Sequence, residues 1–212
     1  YNGNLQNQQA ATSSGFVSGD SISITGLASG QNAATYASNL GVTGTDAANY
    51  NITFTNADLV IGKANLILSG TREYDASKTF AGSFLTATGV GGESFAITGA
   101  GDASNLSSKN VQTNQLLASL TGLSLGASNG TNAGVSSNYN AISTTGSSVS
   151  VTAKAATVDA TATSVTYNGA VQNQTAPTSS GFIAGDAITI SGAASGQNAG
   201  TYGSNLVVSG AD

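Results

Sequence analysis

The chain has 212 residues, of which 7% are charged, and ten acidic against five basic side chains give a formal net charge of −5. This balance provides no basic patch for a phosphate backbone, so we expect no nucleic-acid partner. Cysteine, histidine, methionine and tryptophan are absent, which excludes disulfides, imidazole bases and the usual nitrogen and sulfur metal ligands.

Short β-strands are predicted along the whole chain, because apolar and polar residues alternate as in half-buried strands. The alternating stretches are residues 21–24, 50–54, 95–97, 149–151 and 187–190, and short apolar runs occupy 59–61, 66–68 and 207–208. A helix competes only at residues 116–125, where Gly122 and the leucine spacing favour a strand. Turn signals rich in Gly, Asn and Asp separate the strands, which predicts an all-β fold of antiparallel sandwiches.

The chain begins and ends with the same module. Residues 1–46 align without a gap with residues 167–212, a shift of 166 positions, and 31 of the 46 pairs are identical. A weaker copy lies between them, since Asn-Tyr-Asn occurs at 49–51 and at 138–140 and each is followed by Lys-Ala. We therefore predict three modules, residues 1–64, 65–155 and 156–212, of which the outer two are truncated.

The ordered motifs resemble those of a known family of repeat modules. They are Tyr-Asp-Ala at 74–76, Tyr-Asn-Gly at 167–169, Lys-Asn-Val at 109–111 and the Asn-Tyr-Asn with Lys-Ala endings. These are similar to the alternating YDG and MBG (mostly β, glycine-rich) modules of large bacterial adhesins. Such adhesins look like filamentous haemagglutinins exported by two-partner secretion, and they include biofilm-matrix adhesins. Residues 65–155 resemble the YDG type and both flanks the MBG type, although Ala76 replaces the glycine of the Tyr-Asp-Gly signature.

This resemblance implies the structural stalk of a secreted or surface bacterial adhesin that supports cell–cell, matrix or surface adhesion and biofilm formation. The implied location is extracellular or on the cell surface, and any targeting signal is expected outside these residues. No apolar run approaches the roughly 18 residues of a membrane span. Partners would be neighbouring modules, exopolysaccharide or like copies in a fibre.

Short junctions such as residues 62–65 predict an elongated rod of immunoglobulin-like modules. Two other functions stay open. One is a self-assembling fibre subunit joined by strand addition at exposed sheet edges, and the other is a carbohydrate-binding sandwich. A parallel β-helix is the rival fold, although it requires a repeat much shorter than 166 residues.

We predict no enzyme activity and no catalytic, cofactor-binding or metal-binding residues. The pattern Asp46-x-Ala48-x-Tyr50 resembles the tyrosine corner of immunoglobulin-like sandwiches, in which the hydroxyl binds nearby backbone and has a structural role. Calcium takes oxygen ligands from flexible loops, but no calcium-loop motif connects the aspartates at turns and module ends. These are Asp20, Asp46, Asp58, Asp186 and Asp212.

Three further hypotheses concern side-chain chemistry. Glu73, Asp75 and Glu93 can be drawn as a carboxylate pair for glycoside hydrolysis, but no aromatic sugar platform accompanies them. Lys63 and Lys154 end corresponding strands, where a crosslink to asparagine is one hypothesis and a solvated lysine at a module joint is the other. Four Asn-x-Ser/Thr sequons are as many as chance gives in this composition: Asn51, Asn105, Asn129 and Asn173.

Overall fold

The computed structural model describes residues 1–210. Every named strand pair lies within one of three segments, which we call the first segment (residues 1–63), the middle segment (64–155) and the third segment (156–210). The regular structure of the described residues is β-strand apart from four short 3₁₀ turns, which confirms the prediction of an all-β chain. None of these residues belongs to a helix long and apolar enough to cross a membrane.

The middle segment forms one six-stranded sheet. Its strands are β7 (Ile67–Glu73), β8 (Leu85–Thr88), β9 (Ser94–Thr98), β10 (Gln112–Gln115), β11 (Ser124–Ser128) and β12 (Ser148–Thr152). They lie in the order β10-β12-β7-β8-β9-β11. Neighbouring strands are antiparallel except β7 and β12, which run parallel, so the prediction of antiparallel pairing is wrong at this pair.

One face of this sheet carries the hydrophobic core. Leu68 on β7 and Val149 and Val151 on β12 are at most 1% exposed. The serine and threonine residues that alternate with them are partly or fully exposed. Loops close over this face with further buried side chains: Leu66, Phe80, Leu106, Leu117, Leu123 and Tyr139. Leu117 and Leu123 belong to a loop before β11, so the strand predicted over residues 116–125 is wrong for most of its length.

A buried asparagine holds two of these loops against each other. Asn105 is fully buried, and its carboxamide oxygen accepts hydrogen bonds from the N–H groups of Phe80 and Asp102. Its amide nitrogen donates to the carbonyl oxygens of Ser119 and Thr121. A buried polar group requires such partners, since an unpaired one costs about 1–3 kcal/mol. The sequon at Asn105 is therefore closed to glycosylation.

The first and third segments are built from two-stranded antiparallel sheets. The first contains β1 (Gln6–Asn7), β2 (Ser23–Thr25), β3 (Ser29–Gly30), β4 (Thr35–Ala37), β5 (Gly41–Thr43) and β6 (Asp58–Val60). The third contains β13 (Thr157–Asp159), β14 (Gln172–Asn173), β15 (Thr178–Ser180), β16 (Ile188–Ser191), β17 (Ser195–Gly196) and β18 (Val207–Gly210).

The sequence repeat carries the same strand pairing. In the first segment β1 pairs with β3 and β2 with β5, and at a shift of 166 residues β14 pairs with β17 and β16 with β18. The remaining pairs are β4 with β6 and β13 with β15. Residues 50–54, which were expected to form a strand, lie outside any ladder.

The turn at Ala76 has the backbone conformation of a glycine turn. Ala76 has a φ of 61°, close to the 79° of Gly3 and the 80° of Gly169 in the two Tyr-Asn-Gly turns. Although alanine replaces the glycine of the signature, the φ angle of this turn therefore remains in the left-handed region. A residue with a Cβ is strained in this left-handed region by about 1–2 kcal/mol.

Replacing Ala76 with glycine is expected to stabilise the middle segment by about 1 kcal/mol, because relief of the strain outweighs the extra chain entropy. Chemical denaturation followed by circular dichroism measures this change. Ala81, with a φ of −67°, is the matched control, since glycine relieves no strain there and should lower stability. An Ala76→Gly variant no more stable than the parent would show that the turn is unstrained.

Candidate functional site: the joints between segments

Each segment contains one turn that ends in an acidic residue. The three turns share the sequence Val/Ile-x-Gly-Asp/Glu, and we call them carboxylate turns: residues 17–20, 90–93 and 183–186. In each, the N–H of the acidic residue donates to the carbonyl oxygen three residues earlier at 3.1–3.2 Å. The glycine has a left-handed φ of 79–102°. A strand follows each turn, with apolar residues two and four positions after the carboxylate.

A tyrosine of the middle segment is bound to the carboxylate turn of that segment. Tyr139 follows the 3₁₀ turn Ser136–Asn138 and lies in the core, 2% exposed. Its hydroxyl accepts a hydrogen bond from the Val90 N–H at 2.8 Å and donates one to Glu93 Oε2 at 2.9 Å. The tyrosine therefore fixes both ends of the turn.

Tyr50 repeats this arrangement in the first segment. It follows the 3₁₀ turn Ala47–Asn49, accepts a hydrogen bond from the Val17 N–H at 2.8 Å and donates one to Asp20. The residue predicted as a tyrosine corner thus binds backbone and a carboxylate about 30 residues upstream. Asp46 accepts a separate hydrogen bond from the Ser21 N–H at 2.8 Å.

The carboxylate of the middle segment also receives a tyrosine from the first segment. Tyr1 donates its hydroxyl hydrogen to Glu93 Oε1, while Tyr139 occupies Oε2. The two tyrosine rings pack edge to face with 5.6 Å between centroids. Glu93 therefore accepts one hydrogen bond from each side of the joint.

A buried amide completes this first joint. Asn138 is 1% exposed, and its Oδ1 accepts a hydrogen bond from the Ala33 N–H at 2.8 Å. Its Nδ2 donates to Asn32 Oδ1 at 3.0 Å. The connecting chain is also held, since Ala64 donates to the Asn138 carbonyl at 2.9 Å and accepts from the Asn140 N–H at 2.8 Å. Directional contacts therefore fix the first segment on the middle segment.

The second joint uses the same pair of groups. Tyr74 of the middle segment donates to Asp186 Oδ1 of the third segment at 2.8 Å. A Cβ on Gly181 would lie 2.4 Å from the carbonyl oxygen of Ala155, so glycine is required for this close approach. In both joints the tyrosine of a Tyr-Asx-Gly/Ala turn donates to the carboxylate turn of the following segment.

The burial and pairing of the tyrosines raise their pKa values. For Tyr139, burial first and the Glu93 carboxylate second raise the pKa from 10.0 to about 12. The Glu93 hydrogen bond, followed by burial, raises the pKa of Tyr1. Burial and Asp186 raise the pKa of Tyr74, and the nearby Lys109 opposes this effect. All three hydroxyls remain protonated donors at neutral pH.

The carboxylates considered for glycoside hydrolysis or calcium have separate partners. Glu73 pairs with Lys154 at 2.8 Å and Asp75 with Arg72 at 2.5 Å, whereas Glu93 binds tyrosines. Within residues 1–210, no group of three or more acidic side chains is placed to hold a metal ion. Asp212, one of the calcium candidates, lies outside the described residues.

The lysine and sequon candidates are at the surface. Lys63 is exposed, and Lys154 is about one-third exposed beside the exposed Glu73, whereas an isopeptide crosslink needs a buried catalytic carboxylate. The three sequon asparagines other than Asn105 are exposed: Asn51, Asn129 and Asn173.

The first segment also contains an open cleft of about 750 Å³. Three aromatic residues line it, Phe16, Tyr50 and Phe54, together with Asn51. Phe54 is 41% exposed within it. Aromatic faces beside amide groups are a surface on which neutral polar ligands pack and form hydrogen bonds.

The alignment of residues 1–46 with 167–212 already pairs the turns at 17–20 and 183–186, but it does not include the middle turn at 90–93. The available signal was the shared Val/Ile-x-Gly-Asp/Glu pattern followed by two alternating apolar residues. This shared pattern relates the middle segment to both outer segments more closely than the Asn-Tyr-Asn motif alone does.

No protein-family model matches the chain, and neither a curated protein nor a solved structure shows significant similarity to it.

Ionisation of Tyr139 is expected to weaken the first joint at high pH. Because its pKa is raised from 10.0 in the unfolded chain to about 12 in the folded one, the stabilisation is complete below pH 10 and is lost between pH 10 and 12. The difference between the 295 nm titration curves of the parent and Tyr139→Phe isolates this residue. Glu93→Gln should shift the Tyr139 midpoint downwards, and a parent midpoint near pH 10 would contradict the assignment.

Proposed function

We propose that the chain is part of the structural stalk of a secreted or surface bacterial adhesin. Its immunoglobulin-like units would stand in line as an elongated rod that supports cell–cell, matrix or surface adhesion and biofilm formation. The role is mechanical and positional, not catalytic. The observation that carries this proposal is the recurrence of one joint, tyrosine to carboxylate turn, between successive segments.

Contacts at the joints favour a linear arrangement of segments. Among residues 1–210, hydrogen bonds join the first segment to the middle segment and the middle segment to the third. When each unit binds only its neighbours, length grows with the number of units, as in other repeat proteins. The bound connection at Ala64 restricts bending further.

The surface chemistry suits an extracellular location. Since only 7% of the residues are charged, the exposed strands present mainly hydroxyl and amide groups. Such a surface attracts charged macromolecules weakly. It is consistent with the resemblance to adhesin repeats, in which these modules act as spacers.

A carbohydrate-binding function is the second candidate, and the cleft of the first segment favours it. Neutral sugars bind where aromatic rings lie beside amide and hydroxyl groups, and Phe54 and Asn51 provide both. The stalk and the sugar site are compatible, since the cleft lies outside the residues of the first joint.

In dilute solution, small-angle scattering is expected to give the distance distribution of an elongated particle. Asn138→Ala removes both side-chain amide bonds of the first joint, so the distribution should broaden while the cross-section stays constant. Asn140→Ala is the matched control, because the Asn140 side chain binds Asn65 within the middle segment. A compact, globular distribution for the parent chain would contradict the stalk.

For the carbohydrate candidate, calorimetric titration with neutral hexaoses is expected to show saturable binding that Phe54→Ala abolishes. Phe84→Ala is the control, since Phe84 is 48% exposed but lies in the middle segment. Absence of binding, or equal loss in both variants, would remove this candidate and leave the stalk unaffected.

A further inference from the structure

Two tyrosines from different segments share one carboxylate at the first joint. Tyr1 donates its hydroxyl hydrogen to Glu93 Oε1, Tyr139 donates to Oε2, and the ring centroids lie 5.6 Å apart. Within residues 1–210, this is the only ring contact between two tyrosines. The joint therefore holds two phenols from distant parts of the sequence side by side, with one proton acceptor between their hydroxyl groups.

The composition of the chain directs oxidation to its tyrosines. Thiol and thioether side chains are oxidised readily, but the sequence contains neither cysteine nor methionine. Tryptophan and histidine, which oxidants also attack, are absent as well. One-electron oxidants therefore act mainly on the seven tyrosines.

Glu93 is placed to assist the oxidation of both rings. A phenol that loses an electron becomes strongly acidic, so a neutral tyrosyl radical forms fastest where a base accepts the phenolic proton. Both hydroxyl groups already donate to the carboxylate oxygens of Glu93, so each proton moves along an existing hydrogen bond. Glu93 is partly exposed and passes the first proton to water before it accepts the second.

We propose that the first joint is a site of covalent crosslinking between Tyr1 and Tyr139 by one-electron oxidants, such as a peroxidase with hydrogen peroxide. Each phenol loses one electron to the oxidant and one proton to Glu93, and the two tyrosyl radicals form a bond between ring carbons ortho to the oxygens. The hydrogen on each bonded carbon then moves to the phenol oxygen, which restores both hydroxyl groups. One hydrogen peroxide takes up the two electrons and two protons and becomes two water molecules.

The fold makes this coupling intramolecular. Radicals on separate molecules must meet by diffusion, whereas two rings held in contact react as neighbours at a very high effective concentration. The ring planes stand at 81° to each other, so one ring rotates towards the other before the carbons bond. Hydrogen bonds between Asn138 and residues 32–33 hold the two segments together during this rotation.

The crosslink adds a property that the stalk function does not require. Tension applied at Tyr1 passes through the new bond to Tyr139, so residues 2–138 carry no load. The bond also restricts the unfolded chain, as a disulfide does, in a sequence that has no cysteine. The inference stands apart from the stalk function, because it depends only on the geometry of the first joint.

Treatment of the 212-residue chain with peroxidase and hydrogen peroxide, at a protein concentration low enough to keep molecules apart, tests the proposal. We expect a monomer whose mass falls by about 2 Da, because two hydrogens are lost. Trypsin, which cleaves after lysine and arginine, should then release residues 1–63 joined to residues 110–154. Fragmentation of this product should place the bond at Tyr1 and Tyr139.

Three variants separate the joint from the other tyrosines. Tyr1→Phe keeps the ring but removes the hydroxyl group, so it should abolish the linked product. Tyr74→Phe is the matched control and should crosslink like the parent, since Tyr74 also donates to a carboxylate but contacts no other tyrosine ring within residues 1–210. Glu93→Gln keeps an oxygen acceptor but removes the base, so crosslinking should become about a hundredfold slower.

The proposal is overturned by a parent chain that forms no bond between Tyr1 and Tyr139, or that forms bonds only between molecules. Equal yield of the linked product from Tyr1→Phe overturns it too. An unchanged rate in Glu93→Gln overturns the role of Glu93 as proton acceptor. None of these results affects the stalk function, which small-angle scattering of the untreated chain tests separately.

Discussion

A carboxylate that is removed from water must be given hydrogen-bond donors, and in this chain tyrosine hydroxyls provide them. Glu93 is partly buried between Tyr1 and Tyr139, and tyrosine hydroxyls bind both of its carboxylate oxygens only when the first and middle segments are in contact. The geometry on each side follows from this requirement. The turn that ends at Glu93 orients its carboxylate, and the 3₁₀ turn before Tyr139 orients the tyrosine ring. The Asn138 side chain binds the first segment and so fixes its orientation on the middle segment.

The core is distributed unevenly along the chain. All 13 buried residues of the main hydrophobic cluster lie in the middle segment. In the first segment the buried apolar side chains are Ala28 and Ile61, and the strands are short two-stranded pairs. A pair of strands alone is marginally stable in water, so the outer segments depend on their neighbours for burial. Tyr1 shows this directly, since it packs against the core of the next segment.

Alternation of apolar and polar residues predicted the strands that bury one face of a sheet. It failed where contacts with distant residues decide whether and how a strand pairs. The alternation at 95–97 and 149–151 predicted β9 and β12, because a buried sheet face imposes a period of two. The same alternation at 50–54 gave no ladder, since these residues line a cleft instead of pairing. Periodicity carries no information on strand direction, so the parallel pair was missed. The joints join residues 92 and 112 positions apart, beyond any local pattern.

The parallel pairing of β7 and β12 has a mechanical meaning. β7 opens the middle segment and β12 closes it, and they lie side by side in the same direction, from Ser69–Ser148 to Glu73–Thr152. Tension along the chain pulls these strands in opposite directions along their own axes. The bonds along five residue pairs are then loaded together in shear, not opened one after another as in a peeled hairpin. The segment with the largest core thus also has the strand geometry that best resists extension.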